Sequence, residues 1–81
     1  MWHVYIVQCK DGSKYTGITT NLERRMRQHK KGQGSKYVNS RGYQELLEHI
    51  TVETKSEALK IEYAVKQQPA ANKIKFLNNK E

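Results

Sequence analysis

Asp11-Gly12 stands between two short runs rich in β-branched and aromatic residues, Trp2-His-Val-Tyr-Ile-Val-Gln-Cys9 and Lys14-Tyr-Thr-Gly-Ile-Thr19. This pattern commits the start of the chain to a β-hairpin, because Asp and Gly accept the backbone conformations of a tight turn. The length of the loop stays open. A two-residue Asp11-Gly12 loop pairs positions summing to 23 and puts Tyr5 and Tyr15 on opposite faces. A three-residue loop makes the sum even and brings both to one face, since side chains alternate along a strand.

Beyond the hairpin, Thr20-Asn21-Leu22-Glu23 has the spacing of a capping box, and Leu22 and Met26 recur at helical spacing. That helix should run to about Lys31 and stop at Gly32 or Gly34. Residues 33–43 read as a polar loop, followed by a strand around Leu46–Val52. A second box, Thr54-Lys55-Ser56-Glu57, opens a helix from about Ser56 to Gln67; Pro69 ends it and can begin a short last helix carrying Ala70, Ile74 and Leu77 on one face. The expected order is β-β-α-β-α-α. Its fold class is an α/β (α+β) sandwich in which a small three-stranded antiparallel sheet is flanked by helices. At 81 residues the chain has room for one domain, 1–81, with a marginal core.

The charge is unevenly placed. Residues 10–41 carry nine basic side chains against two acidic ones, which equals the whole formal charge of +7; residues 42–81 balance six against six. Such a concentrated field suits a polyanionic partner, nucleic acid first, although a basic face can also serve only to solubilise. No apolar run approaches a membrane span, so no membrane partner is expected. The lone Cys9 cannot form an internal disulfide; we expect a cytoplasmic protein without a disulfide-linked partner.

Three groups could carry chemistry. Arg25 and His29 lie one turn apart on the first helix, a fork for phosphate and a proton acceptor, or simply part of a solvated basic face with Arg24, Arg27, Lys30 and Lys31. Glu62 falls inside the apolar stripe of Ala58, Leu59, Ile61 and Val65. A carboxylate there needs a partner, either a hard divalent cation or Lys66 at i,i+4. Tyr5 and Tyr15 are packing residues or site residues according to the loop. The histidines and cysteine show no zinc spacing and the glycines no phosphate-loop pattern.

Val4-Tyr5-Ile6, Tyr15-Thr16-Gly17, Arg25, His29 and Glu62, in this order and spacing, resemble the GIY-YIG nuclease domain. The stretches from Tyr5 to Thr19, Leu22 to Arg25 and Glu57 to Lys66 are similar to its stand-alone, single-domain bacterial branch, the UPF0213-like proteins. The resemblance implies a metal-dependent phosphodiesterase built on a three-stranded antiparallel sheet. It assigns one Mg²⁺ or Mn²⁺ to Glu62, the scissile phosphate to Arg25, and the attacking water to Tyr5, Tyr15 and His29, with the general base among these three left open. Both tyrosines must then face the site, which selects the odd-length loop. Gly17, Arg24, Lys36 and Tyr37 are the expected substrate contacts, and the expected partner is nucleic acid, DNA ahead of RNA. His3 stands where the family name has glycine, Thr16 replaces isoleucine, and Tyr37-Val-Asn-Ser40 and Gln68-Pro-Ala-Ala71 lack arginines usual in relatives. The alternative is a nucleic-acid-binding module with vestigial or no catalysis.

Overall fold

A computed structural model describes residues 1–80. Strands β1 (Trp2–Cys9), β2 (Lys14–Thr19) and β3 (Tyr43–Val52) form one antiparallel sheet in the order β2-β1-β3. Helices α1 (Leu22–Lys30) and α2 (Lys36–Arg41) precede β3; α3 (Lys55–Lys66), a 3₁₀ turn (Ala70–Asn72) and α4 (Lys73–Asn78) follow it.

The hairpin closes with a three-residue loop. Cys9 N–H donates to Ser13 O at 2.8 Å, Gly12 N–H donates to Cys9 O at 3.0 Å, and Gly12 takes φ +88°. This is a turn followed by a left-handed glycine, and it sets the register: Tyr5 pairs with Gly17 and Val7 with Tyr15.

Central strand β1 is covered on both faces, which is why Val4, Tyr5, Ile6 and Val7 are all fully buried without alternation. On one face Val4 and Ile6 join Ile50, Ala58, Val65 and Leu77, so α3 and α4 close that side. On the other, Tyr5, Val7 and Cys9 meet Met26 of α1 and Val38 of α2. The expected sandwich and element order are present.

Local boundaries differ where polar side chains competed for the same job. The cap of α1 is Asn21, whose side chain accepts from Arg24 N–H at 3.0 Å, because Thr19 and not Thr20 is bonded to the Asn21 backbone. Thr54 caps α3 as its box predicts, accepting from Glu57 N–H. The segment read as a polar loop contains α2: Ser35 caps it by accepting from Val38 N–H, and Val38 is wholly buried. One buried valine among polar neighbours gives no periodicity, so this helix depends on its docking site. It also draws β3 back to Tyr43.

We expect Val38→Ala to lower unfolding stability by about 2 kcal/mol, and Asn39→Ala, at the exposed neighbouring position, by less than about 0.5 kcal/mol. Urea denaturation of the two variants checks whether α2 is packed structure or a solvated loop.

Candidate functional site

The three-residue loop places Tyr5 and Tyr15 on the α1 side of the sheet. Opposite Tyr5 stands Gly17, where a Cβ would lie 2.6 Å from Tyr5 Oη and 3.0 Å from Tyr15 Cε2. Both rings occupy the space a side chain would need, so Gly17 serves the site by leaving room for them.

His29, in the last turn of α1, completes a triangle of rings. Its Nε2 is 3.0 Å from Tyr5 Oη, and the ring centroids are 5.7 Å from Tyr5 and 5.9 Å from Tyr15, with 6.4 Å between the tyrosines. Tyr43, the first residue of β3, stacks parallel on His29 at 6.2 Å. The Gly34 backbone packs against the imidazole, where a Cβ would overlap Nδ1 and lie 2.6 Å from Cε1. These contacts leave His29 buried and fixed, with Nδ1 unpartnered.

Burial, aided by the Arg25 charge, holds the His29 pKa below 6.5, so the imidazole is neutral near pH 7. Burial, then Tyr15, pushes the Tyr5 phenol well above its ordinary value of 10.0; Arg25 opposes this shift and Glu62 adds to it. Both groups therefore lie within electrostatic reach of Tyr5. Arg25, one turn before His29, is half-buried, and its Nε is buried without a hydrogen-bond partner. With Arg24, Thr19, Thr20, Asn21 and Gln28 it lines an open cleft of about 150 Å³.

α3 packs against edge strand β2, and its Glu62 side chain is 18% exposed. Leu59 is exposed, so Glu62 borders the apolar stripe of Ala58, Ile61 and Val65 rather than lying inside it. Glu62 pairs with Lys66 at 3.5 Å, the helical pairing allowed for in the sequence. Among the described residues no three His, Cys, Asp or Glu side chains converge, which excludes a closed protein cage for a metal. A lone carboxylate of this kind fits a hard cation that keeps waters and substrate phosphate oxygens as its other ligands.

Tyr5, Tyr15, Arg25 and His29 thus come together, and the Glu62 charge reaches Tyr5 from α3. Arg24 enters the cleft, and Tyr37 of α2 tilts over Tyr15 at 5.7 Å. Lys36 is exposed and makes none of the hydrogen bonds or ion pairs found among the described residues. Gly34 was read from sequence only as a helix stop and Tyr43 was not singled out, because their importance lies in contact with His29, from the turn after α1 and from across α2 respectively. Only the fold reveals that contact.

The GIY-YIG catalytic domain model matches residues 1–75. A UPF0213 protein of Cupriavidus pinatubonensis is 47% identical over 93% of this chain and 83% of its own length. One from Oceanobacillus iheyensis is 44% identical over 98% and 92% respectively. The solution NMR structure of the UPF0213 protein BH0048 from Bacillus halodurans is similar at 40% identity and TM-score 0.58, covering 99% of this chain and 86% of that one. No helix among the described residues is long and apolar enough to cross a membrane. Since the family model spans nearly the whole chain and carries its tyrosine-bearing hairpin, Arg25, His29 and Glu62 within its bounds, the chain belongs to the GIY-YIG nuclease family, among the UPF0213 proteins.

Proposed function

We propose that this chain, acting as a single domain, hydrolyses phosphodiester bonds in nucleic acid, DNA ahead of RNA, with one Mg²⁺ or Mn²⁺ held by Glu62. The observation that carries the reading is Arg25: its side chain lines a polar cleft, its buried Nε has no hydrogen-bond partner, and its charge acts on both Tyr5 and His29. A guanidinium so placed is set to take a phosphate oxygen and the charge that develops on it. A bound divalent ion would supply Lewis-acid stabilisation of the same phosphate.

Tyr5 cannot act alone as a base near pH 7, because burial raises its pKa. Paired with neutral His29 it can accept a proton from the attacking water as its own proton passes to Nε2, a transfer across the 3.0 Å contact. Tyr15 packs against both rings of this pair and helps to fix their orientation. The basic 10–41 segment attracts the polyanion, and a cytoplasmic location suits a buried free Cys9. The second reading, binding without catalysis, is favoured by the Glu62–Lys66 pair, which occupies the proposed metal carboxylate.

Cleavage assays on matched DNA and RNA oligonucleotides with Mg²⁺ or Mn²⁺ decide between these readings. Glu62→Gln should lower cleavage by at least about 100-fold while leaving salt-dependent binding in place; undiminished cleavage overturns the metal assignment. No cleavage by the wild type on any substrate, with binding intact, selects the second reading.

Arg25→Lys keeps the charge and loses the fork. It should reduce kcat by about 10- to 100-fold, against a smaller change in KM.

His29 also makes a stability prediction. Its folded pKa is depressed below 6.5, so as pH falls the unfolded chain protonates first. The stability tied to neutral His29 is complete above about pH 6.5 and is lost as pH falls from there to the lowered folded value. His3, also depressed, adds to the same slope. Urea midpoints at about pH 7.5 and about pH 5 should therefore fall further for the wild type than for His29→Gln. Equal falls would show that His29 is not held neutral.

A further inference from the structure

We propose that Arg41 is a base-stacking residue: its guanidinium plane, held on Tyr37 at the rim of the site, receives a nucleobase flanking the phosphate bound at Arg25. This inference rests on the reading of the site as one that binds nucleic acid.

Arg41 closes α2, and its Cζ lies 4.4 Å from the Tyr37 ring centroid. Tyr37 lies 5.7 Å from Tyr15 at a 30° tilt, and Tyr15 lies 5.9 Å from His29. A continuous run of ring contacts, edge-on between His29 and Tyr15 and tilted between Tyr15 and Tyr37, therefore leads from the chemical centre to the surface and ends in a cation. Long exposed side chains usually remain mobile, but this one is tethered: Arg41 Nη1 donates to Asp11 Oδ2 at 2.7 Å. Asp11 is itself set by Ser13, whose N–H and Oγ both donate to Oδ1, at 3.0 and 2.6 Å. These bonds, Ser13 first and then Arg41, keep the carboxyl ionised down to about pH 2.

An exposed ion pair adds little stability, so the tether is poorly explained as a brace. Its clear effect is on orientation. The guanidinium carbon is held over the Tyr37 ring, and the side chain is still 44% exposed. Arg planes stack on bases, and each such contact is sequence-tolerant because every base has a π-face. Asp11 also neutralises the Arg41 charge, which lowers its value as a simple phosphate contact and leaves its plane as the feature a ligand can use.

The test is titration of metal-free wild type, Arg41→Lys and Tyr37→Leu into DNA oligonucleotides that carry 2-aminopurine, or an abasic residue, at successive positions. We expect 2-aminopurine to be quenched at one position by the wild type. Arg41→Lys should lose that quench and bind about 5- to 50-fold more weakly, and an abasic residue there should make the two proteins bind alike. A loss in Arg41→Lys that is the same with and without the base overturns stacking in favour of a charge contact. Tyr37→Leu should lose the quench as well, since the plane loses its support; an unchanged quench would overturn the stack. Thermal melts confirm that both variants fold. Quenching without cleavage by the metal-loaded wild type would refute the nuclease reading alone, cleavage without quenching would refute the stack alone, and no binding would refute both.

Discussion

The bond from Cys9 N–H to Ser13 O decides more about this protein than any single packing contact. It closes a three-residue loop, so the hairpin registers Tyr5 with Gly17 and Val7 with Tyr15. With one residue fewer, the second strand would present its opposite face and Tyr15 would leave the cluster, because side chains alternate. The turn has little choice once Gly12 adopts φ +88° and Asp11 is occupied by Ser13 and Arg41. A local backbone feature far from the chemistry thereby sets which residues can take part in it.

The second constraint is electrostatic. A chain of +7 brings Arg25 beside a buried imidazole and a buried phenol, and neither of these is ionised near neutral pH. Burial makes a charge on either one costly, so the cluster's only fixed charge is the guanidinium at the cleft. The arrangement favours an anion there, while His29 and Tyr5 keep the neutral forms between which a proton can move. Glu62, from the neutral half of the sequence, acts on Tyr5 in the opposite sense to Arg25.

Much of the fold was legible for simple reasons. The hairpin, the α1 stop near Gly32 and the α3 cap at Thr54 each rest on a few adjacent residues whose side chains or backbone preferences act locally. Glu62 stood out because the helical wheel put a carboxylate inside an apolar stripe, where it conflicts with its surroundings, and the resemblance then gave it company. What escaped was the support. Helix α2 has a single buried residue, Val38, and Gly34, Tyr43 and Arg41 matter through partners 5, 14 and 30 positions away.

By itself the sequence determined the two strand-forming runs, the capped helices, the confinement of the charge to residues 10–41 and the presence of Tyr5, Tyr15, Arg25, His29 and Glu62 at the spacing of the family. These are properties of neighbouring residues and of composition, and they survive without any fold. The tertiary structure alone decided that His29 is wedged between Tyr5, Tyr43 and Gly34, and that Arg41 ends a run of ring contacts leading out from the site. Each of these depends on a register or on packing between elements distant in sequence. No local propensity encodes such an arrangement, because its energy exists only once the sheet is covered on both faces.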